Sequence, residues 1–228
     1  MPALKTNGLS PHPDFPRQSY ETINDAVSAN WSKTELYSHF AGAWNALAYR
    51  FQGAVDAGVQ FQQSLIVHGP YPVPAERYQQ ERALFDFFSN GFSAFEAAFY
   101  GMFVIGAFID PANFPLATPK DQQRVSPSQS AEAYRRAFPT DPILDVHTAL
   151  FADPAYQRLR EMRNVLTHRT SPGRRIFVSV GSDDSPPVEW KLNDLPLDET
   201  LVPGRQAELA RLTTDLLSGI EIFLNART

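Results

Sequence analysis

The sequence predicts a mainly α-helical fold, an up-and-down helical bundle with two long antiparallel helices and a small β-hairpin insertion. Two long stretches carry apolar side chains at helical spacing. Only the six residues 69–74, three of them proline, separate these stretches, and so short a loop favours an antiparallel pair. Of the 228 residues, 43% are hydrophobic and 20% charged, as in an ordinary globular domain.

The chain is predicted to begin with an extended arm. Residues 1–30 contain several prolines and show no sustained periodicity. The first long helix is expected to start near Ser32, because Ser32 and Glu35 match a capping box. Residues 31–228 are predicted to form a single helical domain. The apolar positions of its first helix are Leu36, Phe40, Trp44, Leu47, Phe51, Val55, Val59 and Leu65.

The second long helix is predicted from about Ala75 to Phe108, with an aromatic stripe. Small residues interrupt the stripe and would let a neighbouring backbone approach closely; they are Gly91, Ala94, Ala98 and Gly101. The 18 residues 92–109 contain few polar groups, but they are shorter than a typical membrane span and lack basic flanks. A helix that is buried on all sides accounts for them better.

Shorter elements are predicted to follow. Residues 110–125 are rich in proline and polar residues and are expected to form a loop. Helices are predicted at 126–137, 142–151, 153–170 and 203–226, two of them after an Asp-Pro pair. Alternating apolar residues around the turn at 181–187 predict a β-hairpin at about 175–192.

Charge and composition exclude several classes of function. The net charge of −5 argues against a globally cationic nucleic-acid-binding protein but leaves room for a local basic patch. The absence of cysteine excludes disulfides, thiolate catalysis and Cys-based metal sites. The N-terminus lacks the apolar segment of a signal peptide, so the protein is expected to be cytoplasmic, with no membrane partner.

The predicted helix 153–170 has an unusual polar face. At 100° per residue, one side carries Ala155, Leu159, Met162 and Leu166, which are expected to face the core. The opposite side carries Arg160, Asn164 and His168. Arg163 lies at the border of the two faces, about 140° from His168.

This region is also locally basic. Residues 153–175 contain six arginines and only two acidic residues, which is typical of a site for phosphate or another anion. Arginine offers a rigid fork of donors to phosphate, and histidine exchanges a proton near neutral pH. Together they have the chemistry needed to cleave RNA without a metal.

The residues Arg163-Asn164-Val165-Leu166-Thr167-His168 resemble the signature of HEPN domains: arginine, a polar residue, three to five others, then histidine. HEPN domains are all-α bundles of many prokaryotic RNases, toxins and defence proteins. The resemblance implies a homodimer that brings two motifs to one cleft, RNA as the ligand, an antitoxin as a further partner, and metal-independent cleavage that leaves 2′,3′-cyclic phosphate ends. By this match Arg163 and His168 would be catalytic, and Asn164 would orient the site.

Three further side chains are expected to orient the site or bind phosphate. Arg160 and Arg169 lie close to the motif in sequence. Glu96 lies on the very apolar second helix, where a carboxylate needs a partner or must be held neutral; it is predicted to reach Arg163 or Arg160. An ordinary ion pair would look the same.

Other interpretations remain open. The Arg–His motif could be incidental in a non-catalytic interaction module whose aromatic helix pair forms a dimer interface. A small-molecule site lined by phenylalanines is a third possibility. No cofactor or metal site is predicted: Asp145 and His147 have a ligand-like spacing but no further partner at a recognisable distance.

Overall fold

The computed structural model describes Leu9 and residues 11–168, 172–176 and 188–228, and within these ranges the chain is mainly helical. The helices are α1 (Arg17–Trp31), α2 (Tyr37–His68), α3 (Pro74–Ile109), α4 (Pro119–Arg124), α5 (Pro127–Ala137), α6 (Ile143–Ala152), α7 (Pro154–His168) and α8 (Leu201–Asn225). The strands are β1 (Arg174–Ile176), β2 (Val188–Leu192) and β3 (Leu195–Pro196). The mainly α fold with a small β insertion is confirmed.

The α2–α3 hairpin forms the centre of the fold, as predicted. Helix α2 ends at His68 and is capped by Gly69, whose φ of 67° is one that glycine adopts without strain. Helix α3 then begins at Pro74, which needs no hydrogen-bond partner in the first turn. At Gly101 the helices approach so closely that a Cβ would lie 3.0 Å from the ring of Trp44. The small residues of α3 therefore allow the close contact that the sequence predicts.

Helix α3 is a core helix, although its composition resembles that of a membrane span. It is long and apolar enough to cross a membrane, but 67% of its most apolar 18-residue window is buried inside the protein. Helices α2, α5, α7 and α8 all pack against it. Burial within the bundle accounts for its apolar surface, as the composition of the helix predicts.

The prediction of an extended arm over residues 1–30 is wrong, because residues 17–31 form α1. This helix buries Tyr20, Ile23 and Val27, which follow helical spacing. Two hydrogen bonds between Tyr20 and Trp44 connect α1 to α2. The Tyr20 hydroxyl donates to the Trp44 carbonyl at 3.1 Å, and Trp44 Nε1 donates to the Tyr20 carbonyl at 3.0 Å. Their rings also stack, with centroids 5.3 Å apart. Burial of these side chains stabilises a helix that has no capping side chain.

The capping box predicted at Ser32 and Glu35 is also absent. Ser32 instead ends α1, with its N–H bonded to the carbonyl of Ser28, and α2 begins five residues later at Tyr37. A capping box does occur at Thr118 and Asp121, where it starts α4 inside the region predicted to be a loop. The other predicted helices are present, with ends that differ by one or two residues in the described ranges.

The strands form a small antiparallel sheet in the order β1-β2-β3. The pairing of Arg174 with Trp190 and of Ile176 with Val188 agrees with the predicted hairpin, whose turn at 181–187 lies outside the described residues. Trp190 anchors the sheet on α2, since its ring lies 5.6 Å from that of Phe61. The sheet therefore packs against the α2–α3 hairpin through Trp190.

Candidate functional site

Helix α7 carries the motif and lies across α3 and α8. Its first turn is fixed by Asp153, whose carboxylate accepts the N–H of Ala155 at 2.8 Å and binds Arg211 of α8 at 2.8 Å. The buried face consists of Ala155, Tyr156, Leu159, Met162 and Val165. Leu166, which was predicted to face the core, is only half-buried. The core face is therefore rotated slightly from the predicted one, and Arg163 and Asn164 reach a partly open surface.

Arg163 contacts α3 in the way that the sequence predicts. One of its terminal nitrogens lies 2.5 Å from Glu96 Oε1, and its guanidinium lies 4.4 Å from the centre of the Phe92 ring. The other carboxylate oxygen of Glu96 accepts the Ser93 hydroxyl at 3.2 Å. Glu96 is thus held on both sides and fixes the position of Arg163. The Arg163 side chain is 21% exposed, so part of the guanidinium still faces solvent.

A cleft of about 410 Å³ opens beside this ion pair. Its volume is within the usual range of small-molecule sites. We call it the α7 cleft; its walls are formed by Phe92, Glu96, Pro127, Ser128, Phe151, Tyr156, Arg160, Arg163 and Asn164. With two arginines and one carboxylate in the lining, the cleft is locally cationic in a chain of net charge −5.

Two polar side chains of the α7 cleft keep their hydrogen-bonding capacity for a ligand. Arg160 is exposed and Asn164 is half-buried. Within the described ranges, Arg160 has no ion pair, and the Asn164 side chain makes no hydrogen bond to Arg163, to His168 or to any other group. Asn164 therefore does not orient the motif by direct contact, and its amide is available to the cleft.

Tyr156 forms part of the floor of the cleft. Burial raises the pKa of its hydroxyl to about 12, with a contribution from the Glu96 carboxylate, while the nearby arginines oppose the shift. The phenol is therefore protonated at neutral pH. It can donate a hydrogen bond but has no role as a base.

His168 does not belong to this cleft within one chain. It is the last residue of α7 and is exposed, and it does not line the cleft. The structure therefore brings Arg163, Glu96, Arg160 and Asn164 together and leaves His168 apart from them.

No family model, curated protein or solved structure matches this chain.

The arginine excess of residues 153–175 does not form one patch. The Arg174 side chain is only 2% exposed; it binds Glu81 at 2.6 Å, Gln80 at 2.9 Å and the Pro70 carbonyl at 2.9 Å. It also lies 3.7 Å from the centre of the Trp190 ring. Arg174 therefore joins the sheet to the α2–α3 hairpin and is not free for an anion. Arg169 lies outside the described residues.

His147 is a buried side chain whose environment the sequence did not predict. It is 2% exposed, and its ring lies between those of Phe99 and Tyr134. Among the described residues, neither of its ring nitrogens has a hydrogen-bond partner. Within the described part of the chain, no group of three His, Asp or Glu side chains has a geometry that would hold a metal ion. His147 lies in the core, whereas Asp145 is exposed, so the two side chains have different environments.

Proposed function

We propose that the chain is a cytoplasmic, RNA-directed protein of HEPN type that acts as a homodimer and cleaves RNA without a metal. The observation that carries the proposal is the α7 cleft, in which Glu96 fixes Arg163 beside the unpaired Arg160. A positioned guanidinium with a second cation close by suits the phosphate of a nucleic-acid backbone.

Each residue then has a chemical task. Cleavage joins the 2′-oxygen to phosphorus and breaks the bond to the 5′-oxygen, so one proton leaves the 2′-hydroxyl and one is taken up by the leaving group. Arg163 stabilises the charge on the phosphate, with Arg160 as a second contact. We assign one of these two proton transfers to His168.

The position of His168 is compatible with a site shared between two copies of the chain. His168 is exposed and does not line the α7 cleft of its own chain. We propose that a second copy supplies it, through a two-fold arrangement that brings two α7 helices together. Both Arg163 and His168 are partly or fully accessible, as this arrangement requires.

The test is cleavage of a single-stranded RNA in the presence of EDTA, followed by analysis of the product ends. We expect 2′,3′-cyclic phosphate ends, and a loss of about a hundredfold or more in cleavage rate for Arg163→Ala and for His168→Ala. The matched controls are Arg158→Ala, an exposed arginine of the same helix outside the cleft, and His68→Ala, an exposed histidine of α2. Thermal unfolding verifies the fold of each variant. Cleavage that is unaffected by His168→Ala in a folded protein would refute the proposal.

A non-catalytic interaction module is the second candidate, and a different surface favours it. The aromatic stripe of α3 is largely buried within the chain, so it does not form a dimer interface of the kind considered above. However, five of the ten exposed large hydrophobic side chains of the described residues lie at the turn between α2 and α3. They are Ile66, Val67, Tyr71, Val73 and Tyr78. Concentrated exposure of this kind is typical of contact surfaces.

The two candidates are separated by one pair of measurements. If the chain is only an interaction module, Tyr78→Ser weakens self-association or partner binding, and no variant changes RNA cleavage above background. If the proposed ribonuclease is correct, Tyr78→Ser leaves cleavage intact while His168→Ala abolishes it. Light scattering reports the mass of the assembly in both cases.

A further inference from the structure

A second cleft lies between α3, α4 and α5. It has a volume of about 260 Å³ and shares no lining residue with the α7 cleft. We call it the α4 cleft; its walls are formed by Phe103, Asn113, Pro115, Asp121, Arg124, Val125, Gln129, Glu132 and Arg136. Sites for drug-sized molecules have volumes of roughly 300–1,000 Å³, so this cleft suits a smaller ligand.

The arginines of the α4 cleft are only weakly paired. Arg124, the last residue of α4, is exposed and has no ion pair or side-chain hydrogen bond among the described residues. Arg136 lies 3.8 Å from one carboxylate oxygen of Glu132, which is longer than a hydrogen bond. The other oxygen of Glu132 is bound by Arg135. The cleft therefore has one unpaired guanidinium and a second that is loosely held.

The lining also holds two carboxylates, but both already have partners. Asp121 accepts the backbone N–H and the hydroxyl of Thr118, at 3.0 and 2.7 Å, in the capping box of α4. These bonds lower the pKa of Asp121, so it stays ionised and part of the cap. Glu132 is shared between Arg135 and Arg136. The unused charge of the cleft is therefore positive, which favours an anion over a cation.

Apolar carbon lies beside these arginines. Pro115 is exposed and Val125 is half-buried, and both line the cleft. Phe103 is 6% exposed and packs edge-on against Phe114, so it fixes this wall to the core. The Gln129 amide, which has a donor and an acceptor, makes no side-chain hydrogen bond among the described residues. The cleft thus combines positive charge with a hydrocarbon surface and an available amide.

We infer that the α4 cleft binds a small organic carboxylate with an apolar body. Arg124 and Arg136 bind its carboxylate, since a guanidinium holds this group through parallel hydrogen bonds. Pro115 and Val125 contact its hydrocarbon part, which gains affinity from burial that an inorganic anion does not. The inference goes beyond the proposed function and does not depend on it, because neither arginine lines the α7 cleft.

The first experiment separates the charge of the ligand from its apolar body. Isothermal titration calorimetry with the full-length protein compares hydrocinnamate, which has both, with acetate and inorganic phosphate, which have only the charge. Phenethylamine carries the same ring with a cationic end. We expect hydrocinnamate to bind about tenfold more tightly than acetate or phosphate, and phenethylamine not to bind. Equal affinity for hydrocinnamate and any one of the other probes would overturn the inference.

The second experiment tests Arg124. Arg124→Met keeps an apolar stem without the charge and is expected to weaken hydrocinnamate binding about tenfold. Arg124→Lys keeps the charge without the fork and is expected to weaken it less. The matched control is Lys120→Met, which removes a cation that is exposed on the same helix and lies outside the cleft. Thermal unfolding verifies each fold. Unchanged binding in Arg124→Met, or an equal loss in Lys120→Met, would overturn the inference.

A third measurement locates the bound carboxylate, because the α7 cleft is also cationic. Amide NMR shifts of the full-length protein are expected to change on addition of hydrocinnamate at Val125 and Gln129 and to stay constant at Asn164. Arg163→Ala is expected to leave the affinity for hydrocinnamate unchanged, since Arg163 does not line the α4 cleft. Larger shifts at Asn164, or a loss of binding in Arg163→Ala, would place the ligand in the α7 cleft and overturn the inference.

Discussion

Replacing His147 by leucine is expected to remove an acid sensitivity that the buried imidazole gives to the fold. Burial, together with a smaller contribution from the charge of Arg135, lowers the pKa of His147 to about 4, while the carboxylate of Asp141 opposes the shift. In the unfolded chain the pKa returns to about 6.5. The folded protein therefore holds a neutral ring at a pH at which the unfolded chain already binds a proton.

The sign and the size of the effect follow from this difference. Between pH 6.5 and pH 4 the unfolded state binds more protons, so the free energy of unfolding falls as the pH falls. The contribution of the neutral, buried His147 ring to the free energy of unfolding is fully present above pH 6.5. About 2 kcal/mol of it is lost at pH 5, and about 3 kcal/mol below pH 4.

Urea denaturation at pH 7.5 and pH 5.0, followed by circular dichroism, measures this contribution. Wild type is expected to lose about 2 kcal/mol more than His147→Leu between the two values. His68→Leu, at an exposed position of α2, is the control and is expected to behave as wild type. If His147→Leu keeps the full pH dependence of wild type, the buried neutral imidazole is not its source and the reasoning is refuted.

Two further predictions concern stability and use neighbouring or matched positions. A Cβ at Gly106 would lie 2.4 Å from the ring of Phe114, so Gly106→Ala is expected to destabilise the protein by about 1–3 kcal/mol. Gly42→Ala is expected to be neutral or stabilising, because among the described residues no atom beyond the local backbone of its own helix lies within 4 Å of the added Cβ. Thermal or urea unfolding decides this, and equal effects at the two glycines would contradict it. Arg174→Met removes three hydrogen bonds of a nearly buried guanidinium and is expected to cost about 2 kcal/mol; Arg175→Met, at a side chain that is 82% exposed, is expected to change stability by less than about 0.5 kcal/mol. If Arg175→Met lowered the free energy of unfolding as much as Arg174→Met, burial of the arginine would not determine the size of the destabilisation.

The sequence predicts the central hairpin well because several independent signals agree there. Helical spacing, the glycine at the end of α2 and the proline at the start of α3 all indicate the same boundaries. Helix α1 was missed for the opposite reason. It has no capping side chain, and the prolines before it suggested a loop, although the spacing of Tyr20, Ile23 and Val27 was available as a signal.

The Glu96–Arg163 contact of the candidate site could be predicted from the sequence. A carboxylate on an apolar helix needs a cation, and Glu96 does contact Arg163. The count of arginines in residues 153–175 was misleading, because a charge count cannot show that Arg174 is buried and paired. The spacing of Arg163 and His168 likewise fixes their angle on the helix but not the surface that each one reaches.

The reciprocal hydrogen bonds between Tyr20 and Trp44 place one tryptophan at the contact between α1 and α2, where its fluorescence can report unfolding. Trp44 is 1% exposed, whereas Trp190 lies in the sheet and Trp31 stacks on Phe108 at the far end of α1. These are the only indoles in the chain. Variants that keep a single tryptophan therefore give separate fluorescence signals. Trp31 reports the detachment of the N-terminal helix, Trp44 the opening of the helical hairpin and Trp190 the release of the sheet.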